Sequence, residues 1–239
     1  MATRPIVFRC SLRNTTVYDV LSRRPGWVET DDEVNWDFCW LDTAGSRELY
    51  DSIQLDDSQV MCHFPNHWEL TRKDLMVKNL KRMRKQLQRT DCRAEASSYS
   101  FWRETFVIPK DYGLFVEEFK RSPGAVWIAK PCGRAQGRGI FLFSRLSQVS
   151  EWKRDHTWTA NQPQAEAYIA QRYVENPLLV GGKKFDLRLY VLVTSFSPLV
   201  VWLYAGGFAR FSAARYSADP ADHDNLVMHL TNVSIQRRA

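Results

Sequence analysis

A loop rich in glycine and arginine lies between two apolar runs in residues 126–143. Glycine lets the backbone approach a ligand closely, and such a loop can present N–H groups and cations to a polyphosphate. The loop is not a Walker motif, because no Gly-Lys-Ser/Thr closes it and a strand pattern follows. Its glycines, at 133, 137 and 139, do not match the dinucleotide fingerprint either. The pattern predicts a β-hairpin flap over nucleotide phosphates, with an ordinary solvated hairpin loop as the alternative.

A second group of charges begins at Lys184. Side chains alternate between the two faces of a strand, so Lys184, Asp186 and Arg188 share one face, and residues 185, 187 and 189 pack on the other. Charges within apolar sequence cost free energy unless they pair or meet a polar ligand. Arg210 adds a cation in the next apolar segment. The pattern predicts an antiparallel sheet whose charged face binds a nucleotide and an anionic substrate. A structural ion-pair network is the alternative.

Residues 71–89 show the periodicity of an amphipathic helix, with Thr71 in position to cap it. Its polar face is almost purely basic. The cations are Lys73, Lys78, Lys81, Arg82, Arg84, Lys85 and Arg89. Like charges three or four residues apart weaken a helix, which favours a role in docking an acidic polymer over a merely solvated face.

The composition narrows the class of protein. The chain has 239 residues, 44% of them apolar, which is enough for a substantial core. Its net charge of +6 suggests an acidic partner: a nucleic acid, an anionic membrane or an acidic protein tail. The five cysteines are scattered and form no Cys-x-x-Cys pair, which is typical of a reducing compartment. The sequence shows no signal peptide and no bilayer-spanning stretch, so we expect a cytoplasmic protein.

Other catalytic or metal-binding patterns are weak. His63 and His67 have a two-histidine spacing, but the proline between them argues against a helical metal pair. Cys132 lies near arginines that are expected to lower the pKa of its thiol, yet no partner base is evident. Kinase signatures are absent from the sequence. No metal ligand is predicted within these residues.

The ordered motifs resemble the tubulin–tyrosine ligase-like family, and within it the tubulin polyglutamylase branch. Two of them are Gly-Gly-Lys-Lys-Phe-Asp-Leu-Arg at 181–188 and His-Leu-Thr-Asn at 229–232. The matching stretches are 63–82, 115–119, 127–143, 171–193 and 229–236. Together they cover most of the chain from about residue 13 onward.

The resemblance implies a mixed α+β and α/β architecture of the ATP-grasp type, in which ATP lies between two antiparallel sheets under the flap. Three domains are expected. They are a small N-terminal α/β domain with the basic helix (1–100), a central domain with the flap (101–170) and an incomplete C-terminal antiparallel-sheet domain (171–239). Residues 90–100 are the best linker candidate. A polar, helix-like segment is expected to follow the flap up to about residue 160.

The resemblance also implies roles for individual residues. The nucleotide-binding set would be Lys130, Gln136, Gly137, Gln171, Arg172, Tyr173, Val174, Lys184, Phe185, Asp186, Arg210, Thr231 and Asn232. Lys130 would contact the phosphates, and residues 171–174 would border the adenine. The catalytic residues would be Arg188, directed at phosphate or a substrate carboxylate, and Arg210, which would stabilise the transferring phosphoryl group.

One departure from the family concerns magnesium. The family places its Mg²⁺ ligands on a later aspartate-bearing strand and a Glu-x-Asn element, and neither occurs in a suitable context before Ala239. The metal ligands are therefore expected beyond this C-terminus. We therefore expect the sequence to be the N-terminal part of a catalytic domain. An unpaired sheet edge and exposed apolar surface are then expected near its C-terminus.

The implied function is ATP-dependent ligation of free glutamate onto glutamate side chains of tubulin's acidic C-terminal tails, through an acyl phosphate. Alternatives are a tubulin glycylase or tyrosine ligase, and a non-catalytic microtubule-binding module. Nucleic acid and membrane are not expected partners. A larger polyglutamylase complex and a cytoskeletal or ciliary location follow from the resemblance alone. If the basic helix binds the tails, reversing Lys81, Arg84 and Lys85 to glutamate should weaken microtubule binding at low salt.

Overall fold

The structure is a computed structural model that describes residues 4–90, 92–149 and 167–237. The chain divides into two compact units, Met1–Glu69 and Leu70–Ala239. The mixed helix and sheet content of these units agrees with the predicted α+β class.

The first unit is built on a parallel sheet with the strand order β2-β1-β3-β4. Its strands are β1 (Ile6–Cys10), β2 (Trp27–Glu29), β3 (Phe38–Trp40) and β4 (Val60–Met61). Two helices connect them, α1 (Thr16–Ser22) and α2 (Thr43–Ser52). Each begins at a residue whose side chain accepts a hydrogen bond from a free backbone N–H of the first turn, Thr15 for α1 and Asp42 for α2.

Three helices follow one another into the second unit. They are α3 (Trp68–Thr71), the long basic α4 (Lys73–Arg89) and α5 (Arg93–Ser98), which a 3-10 turn (Tyr99–Phe101) extends. Helix α4 begins after Arg72, one residue later than the cap predicted at Thr71, and Arg72 makes no side-chain capping bond. The linker prediction for residues 90–100 is wrong. Most of this segment is helical and packs against α4, burying Ala96.

A four-stranded antiparallel sheet in the order β5-β8-β6-β7 forms the centre of the second unit. Its strands are β5 (Thr105–Ile108), β6 (Trp127–Pro131), β7 (Phe141–Phe143) and β8 (Tyr168–Arg172). Helix α6 (Tyr112–Arg121) packs on it through Phe115, which meets Trp127 edge to face. Strands β6 and β7 pair with Trp127 opposite Phe143, which confirms the predicted hairpin.

A long hairpin follows, made of β10 (Lys183–Phe196) and β11 (Leu199–Phe211), with the short β9 (Leu179–Val180) at its base. The prediction that residues 187 and 189 pack on an apolar face is wrong in this structure, where Leu187 is 63% exposed and Leu189 56%. Exposed apolar side chains continue along β11, Trp202 and Leu203 among them. Two short helices end the described chain, α7 (Leu226–His229) and α8 (Val233–Gln236).

The three-domain division remains a prediction. The compact units divide after Glu69, and the basic helix α4 belongs to the second unit because it contacts β5 and β8. The helix-like segment expected up to about residue 160 falls on residues 150–166, outside the described part. None of the helices in the described ranges has the length and apolar character needed to cross a bilayer.

Candidate functional site

A cavity of about 490 Å³ lies within the second unit, between the β5-β8-β6-β7 sheet and the base of the long hairpin. The end of β8 and the start of β10 supply one side, and the segment after α7 supplies another. Predicted site residues that line it are Lys130, Gln171, Arg172, Tyr173, Val174, Lys184, Phe185, Asp186, Thr231 and Asn232. Residues far apart in the chain therefore meet in one place.

Lys130 and Lys184 bring two ammonium groups to this cavity, and we call them the cavity lysines. Lys130 lies on β6 and donates from Nζ to Oε1 of Gln171 over 2.7 Å. The Gln171 amide donates in turn to the buried Thr105 hydroxyl over 2.9 Å. Burial and the nearby Lys73 lower the pKa of Lys130 to about 8. Burial and the charge of Lys130 also lower the pKa of Lys184 to about 8, although the charge of Asp186 partly opposes this change.

A hydrogen-bond chain fixes Lys184. Its Nζ donates to the Tyr173 hydroxyl over 2.6 Å and lies 4.2 Å from that ring's centroid. The hydroxyl lies 3.0 Å from Nδ1 of His229, whose Nε2 lies 3.1 Å from the backbone carbonyl oxygen of Asp222. A carbonyl only accepts, so Nε2 carries the proton and Nδ1 accepts from the tyrosine. Burial lowers the pKa of His229, which favours this neutral ring.

Asp186 is the carboxylate among the described residues that line the cavity. Its two oxygens accept from Nε and Nη2 of Arg210 at 2.7 and 2.9 Å, across the β10–β11 pairing where the two residues are direct partners. Thr231 also donates its hydroxyl to Asp186. Burial raises the pKa of Asp186, but the bonds from Arg210 and Thr231 outweigh it and hold the pKa below its ordinary value. The carboxylate therefore stays charged and aligned.

The glycine loop between β6 and β7 packs against α8. Gln136 and Gly137 adopt positive φ angles of 62° and 75°. The Gln136 carbonyl accepts a hydrogen bond from Ser234 over 2.5 Å. A Cβ on Gly137 would lie 2.5 Å from Cδ1 of Ile235, so glycine is required both for the backbone angle and for the close approach.

Lys73, at the start of α4, holds the other side of the loop. Its Nζ donates to the carbonyl oxygens of Pro131 and Arg134 at 2.9 and 2.8 Å. The flap is therefore tied to two separate helices.

Comparison with known proteins agrees with this architecture. The family model described as "Tubulin-tyrosine ligase family" matches residues 52–239, which include the whole cavity. The chain belongs to the tubulin-tyrosine ligase family. It is 47% identical to "Probable tubulin polyglutamylase TTLL9" of Rattus norvegicus over 97% of its own length and 56% of the relative's.

Two other relatives have similar names. "Probable tubulin polyglutamylase ttll-9" of Caenorhabditis elegans is 45% identical over 99% of this chain and 55% of the relative. "Probable alpha-tubulin polyglutamylase Ttll1" of Tetrahymena thermophila is 44% identical over 99% of this chain and 60% of the relative. The chain thus spans a little over half the length of the curated relatives that it matches.

Four predicted residues of this family member do not line the cavity: Gln136, Gly137, Arg188 and Arg210. The first two lie in the flap loop. Arg210 contacts Asp186, which lines the cavity, but is not itself a lining residue. Arg188 is exposed further along β10. Sequence reasoning gave no role to His229 or Arg103, which both line the cavity. His229 could have been predicted, because it stands directly before the Leu-Thr-Asn motif. No sequence feature marked Arg103 as a cavity residue.

Cys132 differs from its prediction. The nearby arginines were expected to lower the pKa of its thiol, but burial raises that pKa to about 11. Cys132 is 5% exposed, so its thiol is expected to react slowly. His63 and His67 stack with ring centroids 4.7 Å apart in the first unit. Within the described ranges no group of three or more potential metal-ligating side chains comes together.

The basic helix also differs from its prediction in part. Three of its cations are used internally. Besides Lys73, Lys81 donates to the Thr105 carbonyl over 2.5 Å, and Arg84 lies 5.5 Å from the centre of the Trp102 ring. A triple reversal of Lys81, Arg84 and Lys85 would therefore disturb packing as well as surface charge.

Proposed function

We propose that this chain is the nucleotide-binding part of an ATP-dependent ligase that adds glutamate to glutamate side chains of tubulin. The observation that carries the proposal is the pair of cavity lysines. Both are largely buried, yet the hydrogen bonds of their ammonium groups go to the neutral side chains of Gln171 and Tyr173. Two buried cations so placed need an anion to offset their desolvation, and a polyphosphate supplies it.

The volume and the lining of the cavity also support a nucleotide as its ligand. Its volume lies within the range typical of ligand pockets. Ile128, Ile140 and Leu230 provide an apolar wall for a base, while the cavity lysines define a cationic end for phosphates. In the ATP-grasp-like arrangement that we propose, the glycine loop would close over the phosphates, and residues 171–174 would border the adenine.

Phosphoryl transfer supplies the chemistry that we propose. ATP would phosphorylate the acceptor carboxylate, and the amino group of free glutamate would displace phosphate from the resulting acyl phosphate. Negative charge builds up on the transferring oxygens, so cations near them lower the barrier. Arg210, aligned by Asp186, and the exposed Arg188 are the candidates for this role.

Magnesium does not fit the described residues of the cavity. Asp186 is the carboxylate among the described lining residues, and Arg210 and Thr231 already occupy its oxygens. The proposed reaction therefore assigns no step to the metal.

Tubulin as the substrate is supported by the names of the relatives, and the basic surface of α4 suits an acidic tail. The specificity for glutamate rests on similarity to the polyglutamylase branch. A cytoplasmic, cytoskeletal location belongs to the same proposal.

The first test is calorimetric titration of the full chain with ATP. We expect binding that weakens at least tenfold in Lys130→Met and Lys184→Met, with Lys110→Met on the surface as the control. Absence of ATP binding by a well-folded chain would sink the ligase proposal. The complete protein would then be incubated with ATP, tubulin and labelled glutamate, glycine or tyrosine. Incorporation of glycine or tyrosine would favour those ligases, and tubulin binding without nucleotide would favour the non-catalytic module.

A further inference from the structure

Four cations of α4 form one straight line on its exposed side. They are Lys78, Arg82, Lys85 and Arg89, at relative positions 0, 4, 7 and 11, and all are exposed. At 3.6 residues per turn these positions fall on the same face of the helix. We call this group the cationic stripe.

The stripe is distinct from the cations that stabilise the fold. Lys73, Lys81 and Arg84 contact the flap loop, β5 and Trp102, respectively. In contrast, the side chains of the stripe make no hydrogen bond or ion pair with any residue in the ranges that the structure describes. The one acid of the helix, Asp74, is paired with Arg72.

Such an arrangement opposes folding of the helix. Like charges at i,i+3 and i,i+4 repel one another. The four cations of the stripe form three such pairs in succession, with no carboxylate between them. The neighbouring packing, which keeps Val77 2% exposed, is what retains the helix. An external polyanion would remove this repulsion.

The shape of the stripe indicates which polyanion fits. Eleven residues of helix span roughly 16 Å, and about five residues of extended peptide cover the same distance. A single-stranded nucleic acid of this length gains much of its affinity from stacking on aromatic rings. Helix α4 carries no aromatic residue. The geometry favours a linear run of carboxylates.

We propose that the cationic stripe docks an extended acidic segment of polypeptide, rich in glutamate or aspartate and at least five residues long. The docking surface is separate from the nucleotide cavity, so binding of the peptide does not depend on binding of ATP. The further statement that this segment is the acceptor of the ligase rests on the proposed function.

The test uses the full chain and fluorescein-labelled decaglutamate, with fluorescence anisotropy at 50 and 200 mM salt. The stripe variant is Arg82→Glu with Lys85→Glu. Its matched control, Lys110→Glu with Lys120→Glu, changes the net charge equally on an exposed part of the same unit. We expect at least a tenfold loss of affinity in the stripe variant, less than a twofold loss in the control, and weaker wild-type binding at the higher salt.

Unfolding would not explain that result. The glutamate at position 82 lies four residues from Lys78, and the one at position 85 lies four residues from Arg89, so each can form an i,i+4 ion pair that stabilises the helix. Unchanged circular dichroism checks this. Equal losses in both variants would overturn the proposal, since net charge alone would then be responsible. Tighter binding of an oligonucleotide of equal charge, lost in the stripe variant, would assign the surface to nucleic acid instead. ATP calorimetry on the same proteins separates failure of the ligase proposal from failure of docking.

Discussion

Replacing Tyr173 by phenylalanine should lower the pKa of Lys184 further. The change removes the hydroxyl that accepts from Nζ over 2.6 Å but retains the ring, whose face lies 4.2 Å from the ammonium group. The hydroxyl stabilises the charged lysine in particular, because its own proton is directed to His229. Without it, the neutral amine is favoured.

The magnitude follows from the strength of that bond. A hydrogen bond to a charged group contributes about 1.5–3 kcal/mol, and water in the open cavity replaces part of it. A pKa change of one corresponds to about 1.4 kcal/mol. We therefore expect the pKa of Lys184 to fall from about 8 to about 7.

The assay is acylation of Lys184 by an amine-selective reagent across pH 6–10, quantified by peptide mass spectrometry. Only the neutral amine reacts, so the midpoint of the rate profile reports the pKa. Tyr190→Phe, an exposed change of the same chemistry on β10, is the control and should leave the midpoint unchanged. A midpoint that rises toward 10.5 in Tyr173→Phe would show that the ring only fills space and that its hydroxyl does not hold the lysine.

Three further outcomes are expected. Affinity for ATP should fall at least fivefold between pH 7 and pH 9, because the cavity lysines lose their protons near pH 8; equal calorimetric constants would contradict this. Gly137→Ala should destabilise the chain by about 1–3 kcal/mol in urea unfolding, whereas Gly133→Ala, which meets no atom within 4 Å, should be neutral. Lys73→Met should speed hydrogen exchange in residues 132–139 about tenfold by removing two hydrogen bonds; an equal effect of Lys78→Met would refute a specific role.

Much of the fold and of the candidate site could be predicted from patterns of neighbouring residues. The β6–β7 hairpin was predictable because an apolar run, a glycine loop and a second apolar run are adjacent in the sequence. The shared direction of Lys184 and Asp186 was predictable because strand alternation is a local property. The motifs in order were specific enough to indicate the family.

Predictions that depended on burial were less successful. The arginines beside Cys132 in the sequence predicted a lowered pKa for its thiol, but burial in the folded chain raises that pKa to about 11. The segment 90–100 resembled a linker because it is polar, yet packing against α4 made most of it helical. Hydrophobic periodicity predicted α4 without showing which of its cations would face inward.

The sequence by itself determined the hairpin, the charged face of β10, the basic helix and the family, since each is a property of neighbouring residues or ordered motifs. Only the tertiary structure placed Tyr173 between Lys184 and His229, paired Asp186 with Arg210, and tied the flap to Lys73 and Ser234. Those contacts join residues 11–98 positions apart. The geometry of these hydrogen bonds and the exclusion of water from them arise only when distant parts of the chain pack together. No local sequence pattern encodes them.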